Sequence, residues 1–126
     1  MVVPQRVLVV DDSDLVRDVT RWTLEKHGYQ VETLADPLDL AGALARQIPD
    51  IVLIDIGFPG MDPSQLVSLV RPHTATCPFV VFSDRPAPEL ATIVAQLGAR
   101  GSIRKDVDGS FGQIIARVIA GAEERP

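Results

Sequence analysis

The feature that most constrains this chain is an alternation, repeated five times, of a short apolar run with a longer stretch of helical periodicity. The runs cover residues 6–10, 29–34, 51–55, 79–83 and 101–104. Each is bounded by turn residues, and most are rich in β-branched or aromatic side chains, the composition of strands. Strict strand–helix alternation produces a parallel sheet with helices on both faces. Residues 7–10, 51–54 and 79–82 are continuously apolar, as strands covered on both sides must be, whereas 31–34 and 102–104 mix in polar groups and belong at the edges.

Strands two and five outermost correspond to the order 2-1-3-4-5. The expected fold class is therefore α/β: a flavodoxin-like, doubly wound, five-stranded parallel sheet, a (βα)5 three-layer sandwich. In this topology ligands bind beyond the strand C-termini, near strands one and three. The helices have readable ends. The first is expected to start at Asp12, Ser13 or Asp14, any of which can cap it, and to stop at Gly28, with Lys26 and His27 set against its C-terminal dipole. Its core stripe is read as Leu15, Val16, Val19 and Trp22. Asp62-Pro63-Ser64-Gln65 reads as a capping box with proline at the first helical position. A last helix places Phe111, Ile114, Ile115, Val118 and Ile119 on one face between Ser110 and Gly121.

At 126 residues, one core suffices and a single domain, residues 1–126, is expected. Cys77 is the one cysteine, so no internal disulfide forms, which fits a reducing compartment. A net charge of −5 argues against non-specific attachment to nucleic acid or an anionic membrane, since both need clustered Lys and Arg. No apolar run reaches the length of a membrane span, and residues 1–6 carry no signal-peptide pattern. The expectation is a soluble, cytoplasmic protein.

The chemistry-bearing residues fall at strand ends. Asp11 and Asp12 follow the first strand, Asp55 ends the third, Ser83 ends the fourth and Lys105 follows the fifth. A parallel sheet brings all of them to one edge. Three ionised carboxylates share a small crevice only if a cation or raised pKa values relieve their repulsion, and a hard divalent ion is the simplest relief. Magnesium suits such a half-built site because it takes one or two carboxylates and completes its shell with water and phosphate oxygens. Asp55 could then attack a phosphoryl group, with metal and lysine neutralising the transferring oxygens and Ser83 donating to one of them.

In sequence order, Val-Leu-Val-Val-Asp11-Asp12-Ser13, Ile-Val-Leu-Ile-Asp55-Ile-Gly-Phe-Pro59-Gly-Met-Asp62, Ser83 after Phe-Val-Val-Phe, and Lys105 in Gly-Ser-Ile-Arg-Lys resemble a bacterial response-regulator receiver domain over essentially the whole chain. The resemblance implies that Asp12 and Asp55 bind Mg2+ directly, that the Gly57 carbonyl completes the protein ligands, and that Asp11 acts through water. It implies further that Asp55 is the phosphoacceptor for a sensor histidine kinase or phosphotransfer protein, that Lys105 pairs with the phosphoryl group, and that Ser83 moves to bind it. The output would be a downstream protein target or output domain, and the chain a phosphotransfer substrate with at most self-catalysed chemistry. Four positions depart from the family pattern. Ser102 stands where an aromatic ring usually serves as readout, Asp84 where a small residue follows the hydroxyl, Asp106 where many relatives have proline, and Pro63 where glycine is frequent. Arg85 could offset the charge of Asp84.

Other residues read as structural. His27 is a helix-end cation, His73 a loop residue and Cys77 a small buried hydrophobe, while Arg17 and Arg21 pair with Asp14, Asp18 and Glu25 on a solvated face. An aspartyl phosphohydrolase would need a second acid where Gly57 stands. A flavodoxin-like cofactor binder would not carry Asp11, Asp12 and Asp14 in its phosphate loop. The remaining alternative is a degenerate receiver fold acting as a phosphorylation-independent protein-binding adaptor, a reading supported by Ser102 and Asp84.

Overall fold

A computed structural model describes residues 5–105. Five strands, β1 (Arg6–Val10), β2 (Gln30–Leu34), β3 (Ile51–Ile54), β4 (Phe79–Ser83) and β5 (Gly101–Arg104), pair in parallel in the order β2-β1-β3-β4-β5. Between them lie α1 (Asp14–Lys26), α2 (Leu40–Arg46), α3 (Pro63–Val70) and α4 (Ala87–Leu97), with single 3-10 turns at Pro37–Asp39 and Arg71–His73. The sheet order and the strands agree with the sequence expectation to within a residue at each end. Asp106 and the helix expected over 110–121, with its stripe Phe111, Ile114, Ile115, Val118 and Ile119, lie outside the described residues.

Burial along the strands explains the order. Every residue of β3 and β4 is buried, and β1 is buried after Arg6, whereas β2 is nowhere fully buried and β5 buries only Ile103. A continuously apolar strand gains about 1.5–3 kcal/mol for each large side chain removed from water, which is realised only where both faces are covered. Alternate residues feed two cores. Leu8, Val10, Val52, Ile54, Phe79 and Val81 meet residues of α2, α3 and α4 on one face. Val7, Val9, Ile51, Leu53, Val80 and Phe82 meet Leu24 of α1 on the other.

The inward line of α1 differs from the one expected. Leu15, Val19 and Trp22 are 72%, 46% and 63% exposed, while Thr20 and Leu24 are fully buried and Val16 packs against the core. Residues 16, 20 and 24 follow one another at helical spacing, so the buried stripe runs through a threonine that hydrophobicity alone does not mark. Trp22 lies instead under the Lys26 ammonium, which is 4.2 Å from its ring centre.

The helix ends follow the sequence reading. Ser13 Oγ accepts from Val16 N at 3.2 Å and caps α1. The His27 ring nitrogen Nδ1 sits 2.9 Å from the Thr23 carbonyl at the other end, and Gly28 follows at φ +90°. Asp62 and Gln65 form both halves of the capping box, with Pro63 at the first turn of α3. Cys77 is buried, and burial pushes its thiol up to about 11. No helix among the described residues is long and apolar enough to cross a membrane.

Candidate functional site at the strand C-termini

The first site residue is fixed by the end of β1. Asp11 N donates to the Leu34 carbonyl at 3.0 Å, extending the β1–β2 ladder by one residue, and leaves the Asp11 side chain fully buried. Ser13 N donates to Asp11 Oδ1 at 2.9 Å, and Arg17 Nη1 donates to the Asp11 carbonyl at 2.8 Å. Asp12, next along, is exposed. Asp55 N similarly donates to the Val10 carbonyl at 2.9 Å, which holds Asp55 beside the acidic pair, and Asp55 Oδ1 accepts from Ile56 N at 2.8 Å. The three aspartates thereby present carboxylate oxygens within 4.8 Å of one another.

Lys105 reaches this cluster from β5. Its backbone N donates to the Ser83 carbonyl at 2.9 Å, and its Nζ lies 2.6 Å from Asp11 Oδ2, 3.3 Å from Asp55 Oδ2 and 5.4 Å from the Phe82 ring centre. At 2.6 Å the Lys105 ammonium is the partner of the buried Asp11 Oδ2. Burial raises the Asp55 carboxyl above the ordinary aspartate value; Lys105 opposes the rise and Asp11 adds to it. Burial works the other way on Lys105, but the two carboxylates outweigh it and hold the ammonium above the ordinary lysine value. One ammonium thus stands against three carboxylates.

That imbalance fits a divalent cation. The donors are all oxygen and the cluster is compact. Receiver domains in general bind Mg2+ at an acidic pocket of this kind. Ser83 ends β4, beside β3 in a register that pairs Ile54 with Val81, and its buried Oγ accepts from Arg85 N at 3.1 Å. Gly57 follows Asp55 by two residues and is exposed. The structure brings Asp11, Asp12, Asp55 and Lys105 together, while Ser83 ends the neighbouring strand β4 and Gly57 lies two residues beyond Asp55.

Two arginines belong to this region in ways their sequence positions did not suggest. Arg17 is not on a solvated face: its side chain is only 16% exposed, pairs with Asp14 and braces the Asp11 carbonyl. Its place one turn beyond the Ser13 cap is the signal that could have found it. Arg85 extends toward the Gly57 backbone, where a β-carbon on Gly57 would lie 3.8 Å from Nη2. Arg21 donates to Thr33 Oγ1 at 3.3 Å. A shallow cleft of about 90 Å³ lined by Arg6, Val31, Gln47 and Pro49 opens near the start of β1 and β2, far along the strands from these groups.

The family profile described as "Response regulator receiver domain" matches residues 7–118. Transcriptional regulatory protein CseB of Streptomyces avermitilis is 32% identical over 114 residues, which cover 90% of this chain and 47% of that protein. Transcriptional regulatory protein YxdJ of Bacillus subtilis is 28% identical over 113 residues, covering 90% and 48%. The chain thus spans about half the length of these curated relatives. The chemotaxis response regulator CheY4 of Vibrio cholerae superposes with a TM-score of 0.78 at 25% identity, over 93% of this chain and 99% of that one. A receiver domain protein from Methanospirillum hungatei shares the fold at a TM-score of 0.78 and 22% identity, over 97% and 98% of the two chains. With the profile spanning nearly the whole sheet and the aspartates and lysine at its C-terminal edge, the chain belongs to the response regulator receiver domain family of two-component systems.

Proposed function

We propose that residues 1–126 act as a single phosphoacceptor switch, with Asp55 accepting a phosphoryl group from a sensor histidine kinase or phosphotransfer protein in a magnesium-dependent reaction. The observation that carries this reading is the convergence of Asp11, Asp12 and Asp55 within 4.8 Å, with Lys105 Nζ 3.3 Å from Asp55. Asp12, Asp55 and the Gly57 carbonyl would hold Mg2+ directly and Asp11 through water. When bound, the ion supplies positive charge against the transferring oxygens.

The remaining work falls to side chains. An Asp55 Oδ attacks phosphorus while the bond from phosphorus to the donor imidazole nitrogen breaks. Its electron pair stays on that nitrogen, which takes up a proton, and an acyl phosphate remains on Asp55. Lys105 shifts its pairing from the lost carboxylate charge to the phosphoryl oxygens, guided by its continued contact with Asp11. Ser83 donates its hydroxyl hydrogen to another of those oxygens while Oγ keeps accepting from the Arg85 amide.

The output is a protein partner or output domain whose binding depends on this rearrangement, in a cytoplasmic pathway. Ser102 is exposed on β5 and offers no ring for readout. Intact mass after incubation with a small phosphodonor tests the reading. One added phosphoryl group, dependent on Mg2+ and lost in Asp55→Asn, is the expected result. An unchanged mass, together with failure to bind beryllium fluoride, would leave a protein-binding adaptor.

A further inference from the structure

We propose that Arg85 is a second cationic ligand of the phosphoryl group, closing on it from the Gly57 side of the pocket; this rests on the phosphoacceptor reading of Asp55. Arg85 is half-buried, and its backbone amide already holds Ser83 Oγ at 3.1 Å, so its Cα is fixed beside the hydroxyl that binds the same anion. Its guanidinium extends back over Gly57, with Nη2 3.8 Å from where a β-carbon on that glycine would stand. Glycine leaves the backbone surface open for a planar group to lie against. Among the described residues no carboxylate forms an ion pair with Arg85, neighbouring Asp84 included.

Charge explains why a second cation is useful. Asp11, Asp12 and Asp55 carry three negative charges, Lys105 returns one, and a divalent ion cancels the remainder. Replacing the Asp55 carboxylate by an acyl phosphate adds about one further negative charge, which nothing in that set offsets. Arg85 supplies it. A guanidinium also presents two parallel N–H donors that match phosphoryl oxygens, and it is less strongly hydrated than an ammonium, so it can lie at the half-exposed rim.

The test uses the full chain as wild type, Arg85→Ala and Arg85→Lys, each checked for native circular dichroism, and calorimetric titration with two probes. One probe is beryllium fluoride at saturating Mg2+; the other is Mg2+ alone. Arg85→Ala should weaken beryllium fluoride binding about tenfold, the low end for a charge-assisted hydrogen bond at a half-exposed site, and Arg85→Lys should recover part of that loss. Mg2+ alone should bind Arg85→Ala as tightly as wild type or more tightly, because a positive charge has been taken from beside the aspartates. Unchanged beryllium fluoride affinity would overturn the proposal, as would a parallel loss of Mg2+ affinity, which marks a purely structural arginine. If Arg85→Ala does not fold, Arg85→Gln replaces it under the same criteria. Wild type that binds Mg2+ but no beryllium fluoride would sink the phosphoacceptor reading itself, and Arg85 with it.

Discussion

Replacing Asp55 with asparagine should make the metal-free protein more stable, although it removes a group at the centre of the site. The Asp55 side chain is 11% exposed and its carboxylate lies within 4.8 Å of carboxylate oxygens of Asp11 and Asp12. At an effective dielectric constant near 20, the buried Asp11 charge at that distance opposes it by about 3.5 kcal/mol, and exposed Asp12 adds a smaller, screened amount. Lys105 at 3.3 Å returns about 5 kcal/mol on the same scale. These contributions nearly cancel, so burial decides the sign, and burial disfavours the charged form. Asparagine retains an oxygen to accept from Ile56 N and leaves Lys105 paired with Asp11. A gain of about 1–2 kcal/mol is expected at neutral pH in chelator, or about 4–8 °C in Tm for a chain of this size. Magnesium should invert the comparison. At a hundredfold excess over Kd it stabilises wild type by about 2.7 kcal/mol, and the variant, lacking one ligand, by much less. Thermal denaturation of both proteins, with chelator and with Mg2+, measures this. A lower Tm for Asp55→Asn in chelator, or equal stabilisation of both proteins by Mg2+, would refute the reasoning.

The pH dependence follows from the same carboxyl. Its folded pKa is raised, so the stability it contributes is full below the unfolded aspartate value, near 3.9, and is lost as pH rises through the folded value. Urea midpoints in chelator should therefore match for wild type and Asp55→Asn at the acid end and diverge in favour of the variant toward neutrality. Lys105→Ala should destabilise the metal-free protein by about 2 kcal/mol, because it strips the counter-charge from buried Asp11 and Asp55, yet tighten Mg2+ binding several-fold in calorimetry. Gly98→Ala should cost about 1–2 kcal/mol in urea denaturation without changing Mg2+ affinity. The residue sits at φ +79°, and its new methyl would lie 3.1 Å from Thr74 Oγ1.

What the sequence disclosed, it disclosed through pattern. The edge positions of β2 and β5 were legible because polar residues such as Glu32 and Arg104 cannot sit where both faces are covered, and the cluster of Asp11, Asp55, Ser83 and Lys105 was legible because each ends a strand or directly follows one. A parallel sheet converts strand ends into neighbours without any knowledge of side-chain conformation. The buried line of α1 was not legible, since it passes through Thr20, whose hydroxyl hides a fully buried position from any count of apolar residues. The reach of Arg17 and Arg85 escaped for another reason. A long, flexible side chain can cover a carbonyl or a glycine several ångströms from its Cα, and spacing along the chain does not encode that reach.

The central claim is that Asp55 carries the phosphoryl group. The most direct measurement is borohydride reduction of the protein after incubation with a phosphodonor and Mg2+, followed by peptide mass mapping. An acyl phosphate at Asp55 is reduced to homoserine, so the account predicts homoserine at position 55, in a yield that vanishes without Mg2+ and in Asp55→Asn. Homoserine at position 11 or 12 with none at 55, or phosphorylation that persists in Asp55→Asn, would contradict it.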